Sequence, residues 1–298
     1  MLLTCLIWGV NFSVMKFAME SLPPFALNAI RFTLASVTLW LVAATLEPGT
    51  PLPWRVRARL AGLGVLGNTL YQIGFILGLV RTTAGNSSLL VASTPLMTAV
   101  FGSALGVERL TPAVAGAIGV GTVGVALVVF AKEVTFSLAT MSGDLLTLSA
   151  VVCWAIFTHG VRSVSGLASP LRIAAWTTIG GTPLLVLIGI PDLVRLDWGA
   201  VSPLTWGAVL YASLLSIVVA YLIWNRSVYR IGGNRTALLG VTVPVFALAT
   251  AAIALHERPT LVQIAGAGLI LGSVVLNIWA HSRAAPPADD ARETGTVV

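Results

Sequence analysis

The chain has 298 residues, of which 57% are hydrophobic and 9% are Asp, Glu, Lys or Arg, with a formal net charge of +6. An ordinary soluble domain carries roughly 25% charged residues, so water cannot be the main solvent around this chain, and lipid must be. The basic excess does not point to nucleic acid, because the arginines lie between apolar runs and not beside exposed aromatics.

Ten apolar runs follow one another, at 2–19, 24–46, 58–80, 83–106, 112–131, 143–163, 169–190, 203–229, 233–255 and 259–281. Each is near the roughly 20 residues a helix needs to cross the hydrocarbon. Short breaks separate them, among them SLPP (21–24), EPGTPLPWR (47–55) and PDLVRLD (191–197). None alternates with period two, so an all-α integral membrane protein is expected, since lipid offers an open backbone no partner. No basic leader precedes Leu2, and a cleaved signal peptide is not expected among these residues. The last stretch, 282–298, is polar and reads as a disordered cytoplasmic tail.

Polar side chains inside such runs are costly and mark transport paths. The first run carries Asn11, the second Asn28 and Arg31, and the third Asn68, Tyr71, Gln72 and Phe75. Helical spacing predicts one face for Asn68, Tyr71 (or Gln72) and Phe75. The fourth carries Ser87 and Pro95, the sixth Trp154, Phe157 and His159, and the eighth Tyr211, Ser216 and Tyr221. His159 belongs to the one residue type that carries protons near neutral pH, and a histidine satisfied within the fold is the competing reading. Arg31 either snorkels or offers a cation to a substrate carboxylate. No acid lies in mid-span, with Glu20 and Asp144 at helix edges. The hollow is therefore expected to be apolar and aromatic with scattered amides and hydroxyls. Cys5 and Cys153 both sit in apolar runs, so neither a disulfide nor a metal site is expected.

The chain repeats itself. ALGVERLTP (104–112) holds Glu108 and Arg109, and ALHERPT (254–260) holds Glu257 and Arg258, 149 residues later. WGVNF (8–12) matches WAIFT (154–158) and Pro24 matches Pro170 at 146; Pro95 matches Pro244 at 149. Two copies, at 1–131 and 143–281, each hold five runs. Five is odd, so the second copy enters the membrane from the other side, giving an inverted repeat. The Glu-Arg pairs are expected to fix the hairpin between the fourth and fifth runs, next to Pro112 and Pro259. With both termini inside, the cytoplasmic breaks hold eleven basic residues against five outside.

Two tandem copies of five spans, the early Trp8-Gly9, Arg31-Phe32 with Ala35, Pro95, and Glu108 followed by GAIGVGTVGVAL (116–127) together resemble the EamA-type family of the drug/metabolite transporter superfamily. The second copy departs from that pattern, with Ala155 after Trp154 and Thr177 opposite Arg31. The resemblance implies ten helices around a central cavity lined by helices 1, 3, 4, 6, 8 and 9. It also implies a bacterial inner-membrane carrier that exports small metabolites. Within the family the chain is most similar to exporters of amino acids, aromatic ones included. Substrate-binding candidates are Asn11, Asn68, Tyr71, Gln72, Phe75, Ser87, Trp154, Phe157, His159, Tyr211, Ser216 and Tyr221. Runs five and ten are rich in small residues and are expected to pack on other protein, or across a weak homodimer. Expected partners are membrane lipid and a small-molecule substrate, with no cofactor. Drug, nucleoside or sugar export and a membrane assembly or lipid-handling role stay open. An intramembrane enzyme is disfavoured, since no HExxH, GxSxG or Asp pair sits in a run.

Overall fold

The computed structural model describes residues 1–49, 51–104, 112–130, 138–231, 236 and 239–284. Glu108, Arg109 and residues 285–298 of the expected tail lie outside them. Among the described residues all regular structure is helical, with no strand. The helices are α1 (Leu2–Ala18), α2 (Pro24–Leu46), α3 (Trp54–Arg81), α4 (Ala84–Ala104), α5 (Pro112–Phe130), α6 (Leu138–Val164), α7 (Pro170–Arg195), α8 (Pro203–Ile231), α9 (Val243–Ala254) and α10 (Leu261–Ala284). Among the described residues six of these, α2, α3, α4, α6, α7 and α8, are long and apolar enough to cross a membrane.

The helix starts follow from local chemistry. Pro24, Pro170 and Pro203 open α2, α7 and α8, where a missing N–H costs nothing. Thr83, Ser169 and Ser202 accept backbone N–H bonds from Asn86, Arg172 and Thr205, each at 3.1 Å, and so cap α4, α7 and α8.

Small residues let the rods close up. A methyl group on Gly64 would lie 2.0 Å from the Thr177 carbonyl oxygen, and one on Gly180 would lie 2.4 Å from Ala61 Cα, so α3 and α7 touch backbone to backbone. α2 packs on α7, α3 on α6, and α1 on α9. The small-residue faces of α5 and α10 meet each other within the chain, where partner protein was one expectation. Large apolar side chains such as Leu187, Val194, Ile253 and Leu261 point outward, as a lipid-facing surface requires.

Some features differ from the sequence reading. The break expected at 191 is helix: α7 runs through Pro191 to Arg195, because the exposed Pro191 ring has room and a proline removes only one bond. Asp144 is not at an edge. It lies inside α6, fully buried, where the Asn86 side-chain amide donates to it at 2.6 Å. The tenth run extends past 281 to Ala284.

Candidate functional site

A cavity lies between α1, α2, α3, α4, α6, α8 and the entry to α9. Its wall is built from Trp8, Asn11 and Phe12; Arg31; Tyr71, Gln72 and Phe75; Val91, Ala92, Thr94 and Pro95; Trp154; Ser216, Ile217, Tyr221 and Trp224; and Gly240 and Val243. The empty space, counting the part that opens to solvent, is about 780 Å³. Among the described residues no acidic side chain lines it.

Seven of the eighteen residues in the wall are aromatic. Trp154 is central, with ring centroids 5.9 Å from Trp8, 5.1 Å from Tyr71, 5.6 Å from Tyr221 and 5.7 Å from Trp224. Tyr71 stacks on Phe75 at 5.7 Å, and Phe75 meets Phe12 edge-on at 5.4 Å. Such edge-to-face and offset pairs hold rings in fixed orientations.

The helices that reach the cavity are irregular there. Pro95 has no N–H for the Val91 carbonyl, and α4 breaks at Ala92 and Ser93. The Thr94 hydroxyl takes that carbonyl instead, at 2.6 Å. Pro244 likewise cannot serve the Gly240 carbonyl, and the Val243 N–H takes it in a tight turn over Gly240–Thr242. α3 widens into π winding over Val65–Leu70, just before Tyr71, and α8 does so over Tyr211–Val219. The second of these is tied down from outside. The Trp8 indole N–H donates to the Ser216 carbonyl at 2.9 Å, and the Tyr211 hydroxyl donates to the Ile7 carbonyl at 3.0 Å.

Arg31 is 2% exposed. Its Nη1 donates to the Asn28 side-chain oxygen at 3.0 Å, and its Nη2 and Nε donate to the Ala212 carbonyl at 3.2 and 3.4 Å. The buried side-chain oxygens of Asn11 and Gln72 have no hydrogen-bond partner.

Of the residues singled out from sequence, Asn11, Arg31, Tyr71, Gln72, Phe75, Trp154, Ser216 and Tyr221 line this cavity, and five others do not. Asn68 donates to the Thr177 carbonyl at 2.8 Å and seals α3 to α7. Ser87 is buried in α4, and Phe157 packs behind Trp154 against Gly67. His159 Nε2 donates to the Thr98 carbonyl at 2.8 Å, the satisfied state that competed with a proton relay. Tyr211 is used on α1 as described. Sequence reasoning did not single out Trp8, Phe12, Trp224, Ile217, Val91, Ala92, Gly240 or Val243 as wall residues. The break at Pro95 was the available signal for the α4 members.

A polar cluster closes one end of the bundle. Both Glu257 carboxylate oxygens accept backbone N–H bonds from Ala84 and Gly85, at 2.9 Å each, capping the start of α4. Lys16 donates to the Leu79 and Thr82 carbonyls at the end of α3. Asn86 joins Asp144 to Gln263. Arg258 lines a second pocket together with Glu257. At the other end Arg172 pairs with Glu47 at 3.4 Å and donates to its carbonyl.

With this geometry in place, the relatives can be compared. The model of the EamA-like transporter family matches residues 1–130 and 141–279. A "Probable amino-acid metabolite efflux pump" of Salmonella typhimurium is 28% identical, over 93% of each chain. Its namesake in Escherichia coli is 29% identical, again over 93% of each chain. A WAT1-related chloroplastic protein of Arabidopsis thaliana is 31% identical, over 90% of this chain and 66% of its own length. A crystal structure at 23% identity shares the fold with a TM-score of 0.68, covering 95% of this chain and 96% of its own. The apolar helices and these matches make the chain a multi-pass membrane protein, and it belongs to the EamA-like transporter family.

Proposed function

We propose that this transporter exports small amphipathic metabolites, foremost amino acids with an aromatic or other hydrophobic side chain, by alternating access across a bacterial inner membrane. The observation that carries this reading is the cavity. It is walled by aromatic rings, carries a few amides and hydroxyls, and lacks an acid among the described residues. Such a wall suits a greasy side chain with polar groups at one end. It does not suit a polycation, which needs carboxylates, or a sugar phosphate, which needs several cations. The printed names of the two bacterial relatives point the same way.

The mechanism we propose uses ten spans as two inverted five-helix repeats, α1–α5 and α6–α10. Several contacts support it. Ser36 and Thr182, 146 residues apart, share a hydrogen bond of 2.7 Å, as equivalent residues do on a two-fold axis. Gly121 faces Ser273 and Gly124 faces Ile270; since 121 matches 270 and 124 matches 273 at an offset of 149, this contact is its own mirror. The interruptions also correspond: π winding in the third helix of each half, and a proline break in the fourth. Broken helices in matching positions of two halves are where inverted-repeat carriers bind substrate. The excess of arginine in the breaks on one side supports termini in the cytoplasm.

Counterflow in proteoliposomes tests the reading. Vesicles preloaded with unlabelled aromatic or branched amino acid should accumulate the labelled form. Accumulation of labelled sugars but of no amino acid overturns the substrate assignment, and exchange of nothing in the panel overturns the carrier.

A further inference from the structure

Arg31 is the one charged side chain on the cavity wall among the described residues, and no carboxylate stands beside it. A buried cation that meets a carbonyl, an amide and the Phe32 ring but no anion is expensive in a membrane interior, and such residues are retained for what they bind. A guanidinium has five N–H donors in a planar fork. Three bonds are made, to Asn28 and Ala212. Two donors, one on each terminal nitrogen, remain, and a carboxylate can accept both.

The same wall has acceptors to spare. Asn11 and Gln72 line the cavity, and their buried side-chain oxygens lack donors. A buried acceptor left unfilled is costly, and an ammonium group supplies the missing donors.

We infer that Arg31, with Asn11 and Gln72, reads the two poles of a zwitterion: the guanidinium takes the substrate carboxylate, the two amide oxygens take its ammonium, and the side chain lies among Trp8, Trp154 and Trp224. This rests on the exporter reading above and names how its site selects. A bare amine meets the like charge of Arg31. A bare carboxylate leaves two oxygens unfilled. A neutral amide offers the fork no anion.

The test uses the full chain in detergent and the quenching of its cavity tryptophans by four probes: L-phenylalanine, 3-phenylpropionate, L-phenylalaninamide and 2-phenylethylamine. L-phenylalanine should bind tightest, at least about tenfold ahead of the amide and the amine, as expected for one charge-assisted pair, with phenylpropionate between. Arg31→Gln should weaken L-phenylalanine about tenfold or more and leave the amide unchanged, and Arg31→Lys should restore part of the loss. Should Arg31→Gln fail to fold, the ranking on the unaltered protein decides alone. The inference is overturned if the amide or phenylpropionate binds as tightly as L-phenylalanine, or if Arg31→Gln weakens all four alike; the exporter reading then stands. Saturable binding of none of the four overturns both.

Discussion

Trp154 touches five other rings, those of Trp8, Tyr71, Phe157, Tyr221 and Trp224, drawn from four helices. Each aromatic pair contributes roughly 0.5–1.5 kcal/mol beyond simple burial, so this one side chain fixes the shape of the wall. Trp154→Ala should lower the melting temperature in detergent by several degrees and weaken an aromatic substrate about tenfold or more. Trp154→Phe, which keeps a ring, should lose less on both measures. Equal behaviour of the two variants would remove the ring cluster from substrate recognition. Trp154 was legible in the sequence as half of the WGVNF and WAIFT match, but Trp8 and Trp224 were not assigned to the wall. A tryptophan on an apolar helix fits lipid, the headgroup boundary or a cavity equally well, and only the convergence of α1, α6 and α8 decides.

At the scale of one helix, Pro95 and Pro244 were readable as breaks, whereas the wide turns, and the passage of α7 through Pro191, were not. At Pro95 and Pro244 the missing N–H leaves a carbonyl of the preceding turn to find another donor. Nothing in VLGNTL (65–70) or YASLLSIVV (211–219) marks them for π winding, and each wide turn is accompanied by bonds to a neighbouring helix, α7 or α1. That is why Asn68 fell off its expected face: the wider turn before Tyr71 rotates it onto the Thr177 carbonyl, away from the cavity. The close fit of α3 on α7 gives a sharp contrast between two glycines one position apart on either side of Leu63. Gly64→Ala pushes a methyl into the Thr177 carbonyl and should cost about 1–3 kcal/mol. Gly62→Ala meets open space and should be neutral or stabilising by up to about 1 kcal/mol. Detergent melting curves of the two variants would refute the packing if they coincide. Glu257 acts at the same scale. It was expected to fix the turn between α9 and α10, yet its carboxylate holds the first two amides of α4, in the other half of the chain. Glu257→Ala should lower the melting temperature by the loss of two capping bonds, about 1–3 kcal/mol, and Glu257→Gln, which keeps one acceptor, by less. Unchanged melting in both would show that the cap carries no stability.

For the whole molecule, the proposed inverted repeat requires equivalent parts to run in opposite directions. The end of α1 and the beginning of α6 occur together at one end of the bundle: Lys16 bonds Thr82, Asn86 bonds Thr82 and Asp144. If α6 is the first helix of a second copy, it starts where α1 stops. That expectation came from the sequence, since an odd number of spans per copy reverses the second copy in a bilayer, whereas the lining of the hollow needed coordinates. It makes a prediction that needs no substrate. Glu20 follows α1 and Gly166 follows α6; they are 146 residues apart and both exposed, and the proposed repeat makes them equivalent. In a background with Cys5 and Cys153 replaced by Ala, Glu20→Cys should react with a membrane-impermeant maleimide added outside intact cells. Gly166→Cys should react only after the membrane is opened. Labelling of both from the same side would make the copies parallel. The cavity would then lose the exchange of halves by which one aromatic chamber can face each side of the membrane in turn.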